Sequence, residues 1–141
     1  MFKTFDQAQH FVAEQGIQVI DLKFCDLWGR WHHLTIPASQ FEPNLMDAGI
    51  GFDGSSVGLK SVKSGDMVLV PDLATAFLDP FWETPTLSFI CRTLEADTHE
   101  IFANDPRNFF NEEDPAVLRM ARSFAESIVS TLINAVELDK K

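Results

Sequence analysis

Apolar residues recur at helical spacing near the two ends of the chain and alternate with polar ones between. Thr4-Phe5-Asp6-Gln7 offers a hydroxyl at an N-cap and an amide three residues on, a pair that can satisfy two free backbone N–H groups. Phe5, Ala8, Phe11 and Val12 then fall on one face, and Gly16 supplies a stop. The pattern predicts a short amphipathic helix over residues 4–15. Ile20, Leu22 and Phe24 alternate with Asp21 and Lys23, and Trp31–Ile36 repeats the alternation. With Asp26-Leu27-Trp28-Gly29 between them, the two runs predict a hairpin with a four- or five-residue loop, ended by Pro37. Ser39 is a candidate cap for a short helical segment running to about Asp47 and closed by Gly49.

Three further strands are predicted at Asp66–Pro71, Thr75–Leu78 and Thr86–Leu94. The last is long, β-branched and apolar on both faces, which places it centrally. Asp105-Pro106 opens at most a brief turn. Asp114-Pro115 is an N-cap followed by proline at the first helical position. It opens a long helix to about Leu138, with Val117, Met120, Ala121, Phe124, Ile128, Leu132 and Val136 on one face. Strands enclosed by terminal helices predict an α+β fold, a sheet with flanking helices and a long C-terminal helix.

The 141 residues are enough for one domain with a real core. Lys and Arg number 11 against 21 acidic residues, for a net charge of -10. With no basic face to displace phosphate counterions, nucleic acid is not an expected partner, nor is an anionic membrane. No apolar run is long enough to cross a bilayer, and no segment has the pattern of a secretion signal. The expected location is therefore the cytoplasm. Cys25 and Cys91 lie in apolar runs without a CxxC pairing and read as buried, reduced thiols.

Chemistry concentrates in Gly51-Phe52-Asp53-Gly54-Ser55-Ser56-Val57-Gly58, which reads as a loop. Its glycines free the backbone, so a carboxylate and two hydroxyls can face one small polar ligand. The carboxylate can attract a cation such as ammonium and accept its proton, with a hydroxyl orienting it. The competing reading is a surface turn in which Asp53 caps its own backbone. His32 and His33 are adjacent on a strand, so they point to opposite faces and read as hairpin surface residues. No zinc spacing, phosphate-binding glycine loop or serine-nucleophile elbow is present. Phe81-Trp82, between Pro80 and Pro85, reads as a loop packed on the core or as a subunit contact.

Six segments occur in a telling order: Phe24–Arg30, His33–Ala38, Gly51–Ser56, Ser64–Met67 with Pro71-Asp72, Asp79–Phe81, and Asp105–Arg107. Together they resemble the N-terminal domain of bacterial type I glutamine synthetases. The resemblance implies a β-grasp-like mixed sheet over residues 1–108; residues 109–141, with the predicted long helix, are expected to be a C-terminal helical extension of the same domain. It also implies part of a glutamate–ammonia ligase whose active site forms between one subunit's N-terminal domain and a neighbour's catalytic domain. In that scheme Asp53 binds ammonium and helps remove its proton, and Ser56 assists.

The family's ATP, Mg or Mn and glutamate sites belong to the catalytic domain. This chain carries none of those motifs, so no cofactor and no catalysis are expected of it alone. The implied partners are a glutamine synthetase catalytic domain or homologous subunits, including a homo-oligomer. After Arg107 the sequence departs from the family's usual continuation. That departure keeps two alternatives in view: a freestanding non-catalytic module that binds or regulates glutamine synthetase or another partner, and a vestigial chain.

Overall fold

The computed structural model describes residues 2–26 and 28–108, and the elements below belong to a unit ending at Pro106. The expected C-terminal helix and the 109–141 extension lie outside the described residues.

Helix α1 spans Phe5–Glu14. The Thr4 hydroxyl accepts from the Gln7 N–H, while the Gln7 amide oxygen accepts from Lys3 rather than from the cap residue itself. At the other end Gly16 adopts a left-handed φ of 61°, and the Ile17 N–H returns to the Val12 carbonyl. Both helix ends are thus satisfied locally.

Strands β1 (Val19–Cys25) and β2 (Trp31–Pro37) form the predicted hairpin, with Leu22 opposite Leu34. Its five-residue turn is built on Asp26, a residue only 1% exposed. One carboxylate oxygen accepts the N–H groups of Trp28 and Arg30, both at 2.9 Å. The other meets Arg30 Nε at 2.8 Å and His32 Nε2 at 3.0 Å. Burial by itself would raise the pKa of Asp26. The bonds from His32, Arg30 and the backbone outweigh it and hold the carboxyl well below the usual carboxylate range.

The remaining strands are β3 (Ile50–Asp53), β4 (Asp66–Pro71), β5 (Phe77–Leu78) and β6 (Thr86–Glu95). The sheet order is β2-β1-β6-β4-β3, with β5 beside the first half of β6. β6 runs parallel to β1 and antiparallel to β4, so the sheet is mixed and β6 is central as predicted. Ile20, Leu22 and Phe24 of β1 join Leu87, Phe89 and Cys91 of β6 in the core. Ala8 of α1, Phe41 and Leu45 pack in the same cluster, and the Phe41 ring stacks on Phe89 at 5.5 Å.

Four local expectations are corrected. Ser39 caps no helix: 3₁₀ turns at Ala38–Gln40 and Pro43–Met46 replace the expected segment, with no side-chain cap bond at either. Pro43 lacks an N–H and forces Glu42 into an extended conformation, so no helix can pass through. Residues 51–53 of the expected loop are strand, part of β3, which pairs with β4 from Ile50↔Leu69 to Asp53↔Asp66. Of Thr75–Leu78 only Phe77–Leu78 is strand, because Asp72 caps a 3₁₀ turn over Leu73–Thr75. Cys91 is buried but Cys25 is only half-buried, at the strand end where β1 enters the turn; both are free thiols. Among the described residues no helix is long and apolar enough to cross a membrane.

Two outcomes are expected. Phe89→Ala empties the centre of the core and should cost ~3–5 kcal/mol in chemical denaturation. Asp26 has a depressed pKa, so its contribution is present above the ordinary carboxylate pKa of about 4 and is lost as pH falls through that value toward the folded one. Asp26→Asn should lower stability at neutral pH and flatten the acid limb of a stability–pH curve.

Candidate functional site

The strand pairing that replaces the expected loop determines where Asp53 sits. It is the last residue of β3, directly opposite Asp66 of β4, and the chain leaves the sheet immediately after it. The Gly54 N–H donates to the Gly65 carbonyl at 2.7 Å, which holds the exit against the start of β4. A Cβ on Gly54 would lie 2.3 Å from the sulfur of the buried Met67, so glycine is what lets the two strands meet here. The loop then folds back on itself, with the Leu59 N–H donating to the Gly54 carbonyl at 2.9 Å.

Within this frame the sequence-predicted pair is brought together. The Ser56 hydroxyl donates to Asp53 Oδ2 and the Ser55 N–H to Oδ1, each at 2.9 Å. The Ser55 side chain and N–H, followed by the Ser56 hydroxyl, favour the charged form and lower the Asp53 pKa. The carboxyl group is solvent-exposed, and among the described residues it makes no ion pair. A carboxylate accepts about four hydrogen bonds, so both oxygens keep capacity for an incoming donor.

Asp53 and Ser55 line an open groove of about 760 Å³ together with Lys60, Lys63, Asp66 and Glu95. Lys60 and Glu95 form an ion pair across it, joining the far end of the loop to the end of β6. This arrangement suits a small cation better than it suits proton abstraction. The donors that fix the carboxylate also make it a weaker base than an ordinary aspartate. Sequence reasoning did not single out Lys60 or Glu95. They are 35 residues apart, and only the β4–β6 pairing brings them together.

A second polar cluster occupies the sheet face opposite the core. Lys23 Nζ lies 2.7 Å from Asp21 and 2.9 Å from Asp79, and the Ser88 hydroxyl donates to Asp79 at 3.0 Å. Burial would lower the Lys23 pKa, but the two carboxylates raise it. The Asp79 pKa is in turn held low: burial opposes ionisation, and Lys23, the Phe81 N–H and Ser88 outweigh it. His33 Nδ1 meets Asp21 at 2.8 Å, whereas His32 stacks on Phe24 and meets Asp26, so the two histidines do serve opposite faces.

The cluster fastens the start of the Asp79–Pro85 strap to the sheet. The strap carries Phe81, 92% exposed, and Trp82, 47% exposed, so Phe81 is not packed on the core as one sequence reading had it. Among the described residues no group of three or more His, Cys, Asp or Glu could hold a metal ion.

Comparison with known proteins bears on this geometry. Residues 16–96 match the family model described as the glutamine synthetase β-grasp domain. A glutamine synthetase of Aquifex aeolicus is 41% identical over 105 residues, covering 74% of this chain and 22% of that protein. A 3-hydroxylaminophenol mutase of Cupriavidus pinatubonensis is 36% identical over 109 residues, covering 77% of this chain and 23% of that protein. The Plasmodium falciparum glutamine synthetase structure superposes with a TM-score of 0.68 at 16% identity, over 77% of this chain and 21% of that one, which speaks to the fold alone. The chain thus spans between a fifth and a quarter of the length of these relatives. The mixed sheet, helix α1 packed on it and the matched span together show that the chain belongs to the glutamine synthetase N-terminal β-grasp domain family.

Proposed function

We propose that this domain supplies the ammonium-binding part of a glutamate–ammonia ligase active site, completed by a catalytic domain or by homologous subunits in an oligomer. The observation that carries the reading is the Asp53 carboxylate: exposed, charged at neutral pH, oriented by Ser55 and Ser56, and without an ion-pair partner among the described residues. Ammonium is a small cation with four N–H donors, which matches a carboxylate with unused acceptor capacity. Asp53 holds the cation and Ser56 sets the carboxylate's direction. Proton removal, if shared by Asp53, needs a stronger base from the completing surface, because the loop's own donors weaken Asp53 in that role.

ATP and divalent metal belong, in this proposal, to the completing domain. The described residues contain no converging set of metal ligands. Phosphoryl transfer depends on metal-assisted charge stabilisation, which a single exposed carboxylate cannot supply. The mutase among the relatives is a reminder that the fold alone does not fix the reaction. The site residues must carry the argument.

The test is Asp53→Ala in the assembled enzyme. Ammonium-dependent kcat/KM should fall by roughly 100-fold or more while the KM for glutamate stays near its original value. Ser56→Ala should give a smaller loss in the same parameter. Wild-type ammonium dependence in Asp53→Ala would reject the proposal. Because the Asp53 pKa is lowered, its charge should persist through mildly acidic pH, and ammonium affinity should decline only as pH falls through and below the usual carboxylate range.

A further inference from the structure

The groove beside Asp53 contains a potential internal competitor for its own ligand. The head of Lys60 is an alkylammonium, the same charged N–H donor chemistry as ammonium, and it lines the same groove as Asp53. Lys60 follows the loop that begins at Asp53, and its N–H is directed back to the Gly54 carbonyl at 3.4 Å. The loop therefore anchors the Lys60 backbone at Gly54, next to Asp53, and a tethered cation shares the groove with a carboxylate that must stay open. In the structure that cation is engaged elsewhere: Lys60 Nζ is paired with Glu95 and lies 6.0 Å from the centre of the Phe102 ring. Both partners are largely covered, with side chains 15% and 28% exposed, so the pair is less screened than a surface one.

From this we infer that Glu95 is a specificity-determining residue of the site, which sequesters the Lys60 ammonium group and so keeps Asp53 free for an external cation. The inference rests on the reading of Asp53 as the cation-binding group and adds a mechanism for its vacancy. The other charged groups on the groove are Lys63, Asp66 and Asp97. Lys63, in the 3₁₀ turn Val62–Ser64, Asp66, the first residue of β4, and Asp97 are all exposed. Glu95 is thus the acidic partner that the fold assigns to Lys60. A purely structural role for the pair and a sequestering role predict opposite behaviour when Glu95 is weakened. Loss of structure frees the loop, loosens the serine donors and lets the Asp53 titration drift up toward an ordinary aspartate. Release of Lys60 delivers a cation to Asp53 and moves its titration down.

The experiment uses this chain, labelled for NMR, in wild-type, Glu95→Gln, Glu95→Asp and Lys60→Gln/Glu95→Gln forms. Two quantities are read on this chain, the Asp53 carboxyl titration and the Lys60 Hε to Asp53 Hβ proximity signal; a third, the apparent ammonium affinity, is read as the ammonium KM of the same variants in the assembled enzyme. Glu95→Asp retracts the carboxylate while keeping its charge and the fold. It serves if Glu95→Gln does not fold, and it separates contact from simple loss of a nearby charge.

In both single variants the proximity signal should appear, the Asp53 midpoint should move to lower pH, and apparent ammonium affinity should fall about threefold to tenfold. The double variant should return all three to wild type, because the competitor has gone. A midpoint shift without the proximity signal, an upward shift, or a double variant no better than the single one would overturn the inference. If Asp53→Ala leaves the ammonium dependence of the assembled enzyme unchanged, the reading of Asp53 fails instead, and the proximity signal and midpoint still decide the fate of Lys60.

Discussion

The structure depends on the double pairing of β6. Its first half, Thr86–Ile90, is held by parallel bonds to β1, and its second half, Cys91–Glu95, by antiparallel bonds to β4. At the changeover the chain cannot pair regularly with β4 and β5 at once, and the gap is filled by the intervening turn. The Ile90 N–H donates to the Thr75 hydroxyl at 2.9 Å, and the Ile90 carbonyl accepts from the Asp72 N–H at 3.1 Å. No backbone group of that buried strand can be left unpaired without a cost comparable to a lost hydrogen bond. The 3₁₀ turn capped by Asp72 is the way this cost is avoided. One strand thereby joins the hairpin at one end of the sheet to the β3–β4 pair that carries the site.

That junction explains why the two sheet faces differ in chemistry. On the core face, β1 and β6 contribute Ile20, Leu22, Leu87 and Phe89. On the other, the same strands contribute Asp21 and Ser88, both fully buried, with Lys23 reaching Asp79 to fasten the strap above them. A buried ionic cluster gives little net stability compared with apolar packing, because desolvation opposes the attraction. What this one provides is position. It fixes the turn at Asp79, and the strap then holds Phe81 outward on a rigid base.

Elements governed by local periodicity were legible in the sequence. The capping residue and stripe of α1, the alternation of β1 and β2 and the two-faced apolar run of β6 each appear as expected. Elements governed by a distant partner were not. Gly51 and Gly54 made 51–53 read as loop, yet β4 supplies a ladder that overrides the weak strand propensity of glycine. Ser39 looked like a cap until Pro43, four residues on, removed the donor a helix would need. The Asp53–Ser56 contact could be anticipated because it spans three residues, a common turn geometry. The Lys60–Glu95 pair could not, since nothing in either residue's neighbourhood encodes the crossing from loop to strand.

The exposure of Asp53 bears on what the proposed site would gain from a covering surface. Two unit charges 4 Å apart attract by about 1 kcal/mol in water and by about 4 kcal/mol at the effective dielectric of a partly covered protein surface. On the proposed reading, ammonium in the uncovered groove would gain little over its own hydration, and Asp53 would discriminate poorly among small cations. A second surface that excludes water raises the attraction several-fold. It also supplies further acceptors for the remaining N–H donors, and these distinguish ammonium from a bare metal cation of the same charge. Covering the site raises the attraction between Asp53 and every nearby cation, Lys60 included. A pairing that holds Lys60 on Glu95 therefore matters most in the covered state, where a mispaired lysine would be hardest to displace.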